Sequence, residues 1–108
     1  MAETSPHQDV FQAIADPNRR RLLKLLADKE MSITAIAQHF PISRTAVNKH
    51  LHVLTTTGLV SRRKLGRETR YRLKPERLII LKHWLSFFEH YWDEKLLSLK
   101  EFVEHDEK

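Results

Sequence analysis

The sequence predicts a mainly helical domain with one small β-hairpin, in the element order α-α-β-α-α-β-β-α. Apolar residues recur at helical spacing through most of the chain, and residues with good helix-capping side chains precede these segments. One stretch, residues 59–73, instead alternates around a glycine, which is typical of a hairpin. The chain has 108 residues, of which 41% are hydrophobic, so we expect one compact domain over residues 1–108.

The first two helices are each predicted from a capping residue followed by proline. Ser5 and Pro6 open the segment SPHQDVFQAIA, and Asp16 and Pro17 open DPNRRRLLKLLADK. Three arginines, residues 19–21, precede the apolar part of the second helix and are interpreted as its solvent-exposed side. The buried stripe of that helix is expected from Leu22, Leu23, Leu25 and Leu26.

A short strand and two closely spaced helices are predicted next. The strand is MSI, residues 31–33, and a brief helix, AIAQHF, begins after Thr34 and ends before Pro41. Ser43 then caps a longer helix that runs to about Thr56. Because only about three residues, PIS, separate the two helices, the pair matches a helix-turn-helix.

The periodicity changes after Gly58, which is expected to end the longer helix in a left-handed conformation. The segments LVSRRKL and ETRYRL flank Gly66, and this predicts a hairpin with the glycine in its turn. One face of the hairpin is expected to be mostly cationic. In the second strand, neutral and charged side chains alternate: Thr69, Tyr71 and Leu73 with Glu68, Arg70 and Arg72.

The last segment has neither proline nor glycine after Pro75, and it predicts one long helix over residues 75–104. Aromatic residues widen its apolar stripe beyond what packing onto one small domain requires. We therefore expect this helix and the first helix to form a homodimer interface, which would help so short a chain to bury apolar surface. The candidate interface residues are Phe11, Ile14, Trp84, Phe88, Tyr91, Trp92, Leu96 and Leu99.

The positive charge is concentrated in one part of the chain. Residues 44–74 contain nine Lys or Arg and a single acid, Glu68, whereas the other residues contain more acidic than basic groups. The formal net charge of the whole chain is +5. A local excess of cations on an otherwise acidic chain indicates a polyanionic partner.

The composition argues against several classes of protein. Without cysteine there can be no disulfide, thiolate metal site or cysteine nucleophile, and a cytoplasmic location is expected. The sequence contains no run of about eighteen apolar residues, so we expect no membrane span. It has no glycine-rich phosphate loop, and most of its acids lie in the last helix, so we do not expect an enzyme.

The helix that follows Ser43 has an outward face without acids. Its buried seam is expected from Val47, Leu51 and Leu54, and the opposite side carries hydrogen-bond donors. Such a face suits the DNA major groove, where Asn pairs with adenine, Lys with guanine, and Thr contacts a thymine methyl group. Ser43 and the free N–H groups of the first turn favour a phosphate. The candidate base-reading residues are Arg44, Thr45, Asn48, Lys49 and His52.

The hairpin SRRKLGRETRYRL is dense in cations, and its turn is expected to project from the domain. Arg67 in the turn is expected to enter a minor groove or to lie along the DNA backbone. Double-stranded DNA is therefore the predicted partner. The phosphate contacts are expected from Arg62, Arg63, Lys64, Arg70 and Arg72.

The element order and three segments resemble the ArsR/SmtB-type winged helix-turn-helix repressors. The matching segments are FQAIADPNRRRLLKLL, SITAIAQHFPISRTAVNKHLHVLTTTGLV and GRETRYRL. The resemblance implies a homodimer that binds an inverted-repeat operator, usually as a repressor, with the first and last helices in the dimer interface. It also implies that bases are read by Arg44, Thr45, Asn48 and Lys49.

The chain departs from the metal-sensing members of that family. Soft-metal sensors carry paired cysteines where this chain has ITAIAQ, and zinc sensors carry Asp and His where it has Leu81 and Glu94. We expect no metal and no cofactor, and the inducer is unknown. A zinc-responsive repressor is an alternative, because four residues have spacings suited to zinc: His90, Glu94, Glu101 and His105.

A winged-helix module that binds protein or RNA is the remaining alternative. Such a module need not carry cations on both the second helix of the helix-turn-helix and the hairpin. This chain carries them on both, which favours DNA.

Overall fold

The computed structural model describes residues 9–106, with side chains as far as residue 104. It is mostly helical with a small antiparallel sheet, as the sequence predicts. In chain order the elements are α1 (Val10–Ala13), α2 (Pro17–Leu25), β1 (Met31–Ser32), α3 (Ile33–Ala37), α4 (Arg44–Thr57), β2 (Val60–Leu65), β3 (Glu68–Leu73), a 3₁₀ turn (Pro75–Leu78), α5 (Ile79–Ser86) and α6 (Glu89–Asp106).

The first helix of the structure begins at Val10 and is capped by Asp9. The Asp9 carboxylate accepts a hydrogen bond from the Gln12 N–H at 2.9 Å, which satisfies one of the free donors of the first turn. Ser5 and Pro6, which were predicted to start this helix, lie outside the described residues.

The second helix starts as predicted, and its arginines do more than face solvent. The Asp16 carboxylate accepts from the first N–H groups of α2, and Pro17 occupies the first helical position. Arg19 Nε and Arg20 Nη1 donate to main-chain carbonyls at the end of α1, at 2.6 and 2.8 Å. Arg21 lies over the ring of Phe40. Arg19 and Arg20 thus bind the α1–α2 corner, and Arg21 contacts the chain after α3. Arg20 and Arg21 are exposed, as predicted, but the three side chains also make specific contacts.

The third helix begins and ends earlier than predicted. Ser32, not Thr34, is its cap, because the Ser32 hydroxyl accepts a hydrogen bond from the Ala35 N–H at 3.1 Å. The helix ends at Ala37, and i→i+3 bonds tighten the chain beyond it. The connection to α4 is therefore residues 38–43, which is longer than the three residues predicted.

The fourth helix has the predicted caps. The Ser43 hydroxyl accepts a hydrogen bond from the Ala46 N–H at 3.1 Å. Gly58 ends the helix with φ = 86°, a left-handed conformation in which a side chain would be strained. The Leu59 N–H then donates to the Leu54 carbonyl at 3.0 Å. Together α3 and α4 form the predicted helix-turn-helix.

The three strands form one antiparallel sheet in the order β1-β3-β2. The hairpin register pairs Arg62 with Tyr71 and Arg63 with Arg70. Gly66 has φ = 67° at the first position of the two-residue turn, which is the arrangement of a type II′ turn. The predicted hairpin and its turn are confirmed, and we call the hairpin the wing.

The core lies between α1, α2, α3, α4 and one face of the sheet. Val47, Leu51 and Leu54 form the predicted seam of α4 and are all fully buried, with 0% exposure. Among the described residues, none from Ile79 onward is buried. The other large, fully buried side chains are Val10, Leu22, Leu26, Ile36, Thr57, Leu59 and Val60.

The C-terminal segment is divided where one long helix was predicted. Helix α5 ends at Ser86, and α6 begins at Glu89. The Phe88 N–H donates to the carbonyl three residues earlier, at 3.0 Å, which replaces the α-helical pattern by a tighter turn. The Ser86 hydroxyl also donates to the Lys82 carbonyl at 2.9 Å, a contact that bends helices. No helix within residues 9–106 has the length and apolar run that crossing a bilayer requires.

Candidate nucleic-acid interface

The outward face of α4 is exposed in the predicted way. Its buried seam turns the other side of the helix to solvent, because helical geometry separates the two faces. The sequence of α4 contains no acid, and its first turn has free backbone N–H groups beside Ser43. All of the predicted residues of this face are exposed: Ser43, Arg44, Thr45, Asn48, Lys49 and His52.

An open groove lies between α4 and the wing. Its helix side is lined by Asn48 and His52, and its sheet side by Arg62 and Tyr71. The predicted residues of the helix and the wing therefore meet at one surface. Thr55 and Thr56 also line the groove and were missed in the sequence, although Thr55 follows Asn48 and His52 at helical spacing.

The predicted phosphate contacts divide between the two faces of the wing. Directly paired residues of an antiparallel sheet project to the same face. Because Arg62 pairs with Tyr71 and Lys64 with Thr69, these two cations share the face that borders the groove. Arg63 and Arg70 pair with each other and project to the opposite face.

The arginines of that opposite face are held by carboxylates. Arg63 donates two hydrogen bonds to Glu30, at 2.8 and 2.9 Å, and Arg70 donates one to Glu68 at 3.0 Å. The hydrogen bonds from Arg63 lower the pKa of the Glu30 carboxyl, and Glu30 in turn raises the pKa of Arg63. Both partners are thus stabilised in their charged forms. These pairs offset the repulsion between two guanidinium groups on adjacent strands.

Arg67 lies in the exposed turn of the wing, beside Gly66. A Cβ atom added to Gly66 would meet no atom within 4 Å, so the tip is open on that side. The Arg67 side chain is exposed, in agreement with the predicted projecting turn.

The predicted dimer residues form a largely exposed apolar surface. Phe11 of α1 contacts Trp84 edge-on at 5.7 Å, and Trp84 contacts Phe88 at 5.2 Å, so α1 and α5 share this surface. Phe87 and Phe102, which are not among the predicted residues, are exposed by 74% and 66%. Among the predicted residues, Ile14 and Phe88 are partly buried, and the exposed ones are Phe11, Trp84, Tyr91, Trp92, Leu96 and Leu99.

Within the described residues, no group of three or more His, Cys, Asp or Glu side chains comes together in a way that could hold a metal ion. His90, Glu94 and Glu101 are exposed on α6. The fourth residue of the zinc alternative, His105, has no described side chain.

A protein-family model described as a helix-turn-helix domain matches residues 14–63 of this chain. The transcriptional repressor SdpR of Bacillus subtilis is 35% identical over 80 residues, which cover 74% of this chain and 89% of the repressor. The HTH-type transcriptional regulator Rv2034 of Mycobacterium tuberculosis is 34% identical over 94 residues, which cover 87% of this chain and 85% of the regulator.

Solved structures give the same relationship. An ArsR-like transcriptional regulator from Rhodococcus sp. RHA1 has a TM-score of 0.69 and 35% identity, over 89% of this chain and 88% of the other. These relatives are transcriptional regulators and not enzymes. These similarities agree with the helix-turn-helix, the wing and the acid-free face of α4. The chain therefore belongs to the ArsR/SmtB-type family of winged helix-turn-helix proteins and is a DNA-binding transcriptional regulator.

Proposed function

We propose that the chain is a homodimeric repressor that binds an inverted-repeat operator. Helix α4 lies in the major groove, and the wing lies along the backbone or in the adjacent minor groove. The observation that carries the proposal is the continuous surface formed by the donor face of α4 and the groove-side cations of the wing. Repression is the activity named for several relatives, SdpR among them. A cytoplasmic location is part of the proposal.

The base-reading residues are those of the exposed face of α4. Asn48 presents both a donor and an acceptor, which suits the major-groove edge of adenine, and Lys49 donates to guanine. Thr45 contacts a thymine methyl group, and Arg44 and His52 lie at the two ends of the row. Ser43 and the first N–H groups of α4 bind a phosphate and set the position of the helix along the groove.

The wing supplies phosphate contacts mainly from its groove side. Arg62, Lys64 and Arg67 are exposed and have no carboxylate partner among the ion pairs of the described residues. Arg63 and Arg70 contribute to the positive potential, but their bonds to Glu30 and Glu68 compete with any phosphate. Of the five cations expected to contact phosphate, the proposal therefore keeps Arg62 and Lys64, and Arg67 of the turn joins them. Arg72 pairs with Ser61 on the same face as Arg63 and Arg70.

The exposed apolar surface of α1, α5 and α6 is proposed to bind the same surface of a second chain. Burying an aromatic side chain contributes roughly 1.5–3 kcal/mol. A two-fold axis repeats each such contact, so several aromatic side chains would outweigh the cost of association. The two copies of α4 would then read successive major grooves, about 34–36 Å apart.

The proposal is tested by selecting bound duplexes from a random library with the full-length chain. The expected result is an inverted repeat whose half-sites are about one helical turn apart. Binding of the selected duplex should exceed that of a scrambled duplex and should weaken steeply with salt. Enrichment of no motif, or equal affinity for single-stranded RNA of the same sequence, would count against a sequence-specific DNA repressor and favour an interaction module.

A further inference from the structure

Helix α4 is linked to the α1–α2 corner by polar contacts at its centre. His50, midway along α4, is only partly exposed, with 18% of its side chain accessible. Its Nδ1 atom lies 3.3 Å from Arg19 Nη1, and its Nε2 atom lies 4.0 Å from the Asp16 carboxylate. The same helix carries Asn48 and Lys49 on its outward face. A link at this position therefore bears directly on where those two side chains point.

Arg19 binds two elements at once. Its Nε atom donates to the Ala13 carbonyl at 2.6 Å, and its Nη2 atom donates to the Gln12 carbonyl at 3.3 Å. The remaining terminal nitrogen, Nη1, faces His50. One guanidinium thus connects the end of α1 to the middle of α4. Since the donors of the planar guanidinium have fixed directions, these contacts restrict the orientation of α4 relative to α1 as well as the distance between them.

The chemistry of the contact determines the form of the imidazole. Arginine carries only donors and stays charged, so His50 Nδ1 must accept the hydrogen bond from Arg19. In a neutral imidazole the other nitrogen then carries the proton, and Nε2–H faces the Asp16 carboxylate. Asp16 is itself held in place, because it accepts from the Asn18 N–H at 2.7 Å. His50 therefore lies between a fixed donor and a fixed acceptor.

Apolar packing determines which face of α4 is outward, and a directional contact can restrict the rotation of the helix further. The seam of Val47, Leu51 and Leu54 is fully buried, but hydrophobic contacts are non-directional. Val10 and Ala13 of α1 pack into the same core, and an open cleft lies beside this contact, between α1, Arg19 and the C-terminal half of α4. Its lining residues are Asp9, Gln12, Ala13, Arg19, Val53 and Thr57. The contact between Arg19 and His50 lies beside this cleft and adds a directional restraint to the apolar packing.

We propose that His50 and Arg19 are positioning residues that fix the rotation of α4 against the α1–α2 corner. They keep Asn48 and Lys49 aimed at base edges without touching DNA themselves. This inference rests on the proposed function of α4 as the base-reading helix. Since a base contact depends on hydrogen-bond geometry, a small rotation weakens specific binding more than phosphate-driven random binding.

The test compares conservative and disruptive variants of the full chain. His50→Gln retains one acceptor and one donor group, whereas His50→Leu has neither. Arg19→Met removes the link, and Arg20→Met is its matched control. Arg20 also donates to main-chain carbonyls near the end of α1, at 2.8 and 3.1 Å, but these hydrogen bonds do not extend to α4. Affinities for the selected operator and for a random duplex of equal length are measured together with the melting temperature.

Both His50→Leu and Arg19→Met should lower the operator-to-random affinity ratio about tenfold, or about 1.4 kcal/mol. His50→Gln should keep the ratio within about twofold, and so should Arg20→Met, even though its melting temperature falls. An unchanged ratio in His50→Leu, or an equal drop in Arg20→Met, overturns the inference. If His50→Leu does not fold, the ratio for Arg19→Met decides the question.

The variant Asn48→Ala distinguishes failure of this inference from failure of the proposed function. If Asn48→Ala lowers the ratio and Arg19→Met does not, the positioning role is wrong and the base-reading role of α4 stands. If Asn48→Ala leaves the ratio unchanged, α4 does not read bases, and both proposals are wrong.

Discussion

At the scale of single residues, the surface divides into side chains expected to read sequence and side chains expected to bind phosphate. Asn48→Ala or Lys49→Ala should cost about 1–3 kcal/mol on the operator with little change on random DNA, because each removes a base contact. Competition binding with the two duplexes measures the difference. Equal losses on both duplexes would mean that these residues bind the backbone.

The two faces of the wing allow a second comparison between adjacent residues. Arg62→Ala should reduce the slope of log affinity against log salt by about 1, because it removes one phosphate contact. Arg63→Ala is the matched control, since Arg63 lies on the other face and is bonded to Glu30. Its slope should stay close to that of the unaltered chain. Titrations at several salt concentrations give both slopes, and a larger change for Arg63 would reverse the assignment of the two faces.

Residue positions could be predicted where local rules determine them. The outward face of α4 follows from its apolar spacing and from the caps at Ser43 and Gly58. The Arg19–His50 and Arg63–Glu30 contacts could not be predicted, because their partners are 31 and 33 residues apart in sequence. Whether such partners meet depends on how the helices and strands pack.

At the scale of elements, the end of α4 gives a stability prediction. Gly58→Ala places a side chain at φ = 86° and puts its Cβ atom 2.9 Å from Arg77 Cδ. Left-handed backbone alone costs about 1–2 kcal/mol for a residue with a side chain, and the contact adds to this cost. We therefore expect Gly58→Ala to lower the free energy of unfolding by more than that amount in urea denaturation.

Arg77→Ala provides the background for the control, because it removes the atom that a Cβ at residue 58 would meet. Gly58→Ala made in this background should show the backbone cost without the contact with Arg77. Equal destabilisation by Gly58→Ala in the two backgrounds would show that the Arg77 side chain moves aside at no cost.

The elements also show where sequence patterns fail. The connection between α3 and α4 is longer than the three residues predicted. The change to i→i+3 bonds after Ala37 ends α3 early, and no glycine in the sequence marks that position. The division between α5 and α6, at residues 87–88, contains no proline or glycine either. It depends on the hydrogen bond of the Ser86 hydroxyl and on packing between the neighbouring aromatic rings. Strong local signals predict their elements correctly: Asp16 with Pro17 predicts the start of α2, and Gly66 predicts the turn of the wing.

At the scale of the whole molecule, dimerisation and operator binding should fail together. Trp92→Glu places a charge in the apolar surface, and the variant should be a folded monomer by light scattering. Its operator affinity should fall at least about tenfold, because one chain reaches only one half-site. Leu97→Glu is the control, since Leu97 is also exposed but lies about 140° around the helix from Trp92. A monomeric variant with full operator affinity would disprove the dimer proposal.

The uneven distribution of charge also affects how the regulator meets DNA. Residues 44–74, which include α4 and the wing, carry nine of the 19 Lys and Arg residues and a single acid, whereas α6 exposes mostly acids: Glu89, Asp93, Glu94, Glu101 and Glu104. The net charge of +5 is therefore unevenly distributed over the chain. We expect the field of a DNA duplex to turn the molecule before contact, with α4 leading and α6 trailing. Added salt should then slow the encounter as well as weaken the phosphate contacts, whereas the lifetime of the complex on its operator should depend on the close contacts of α4.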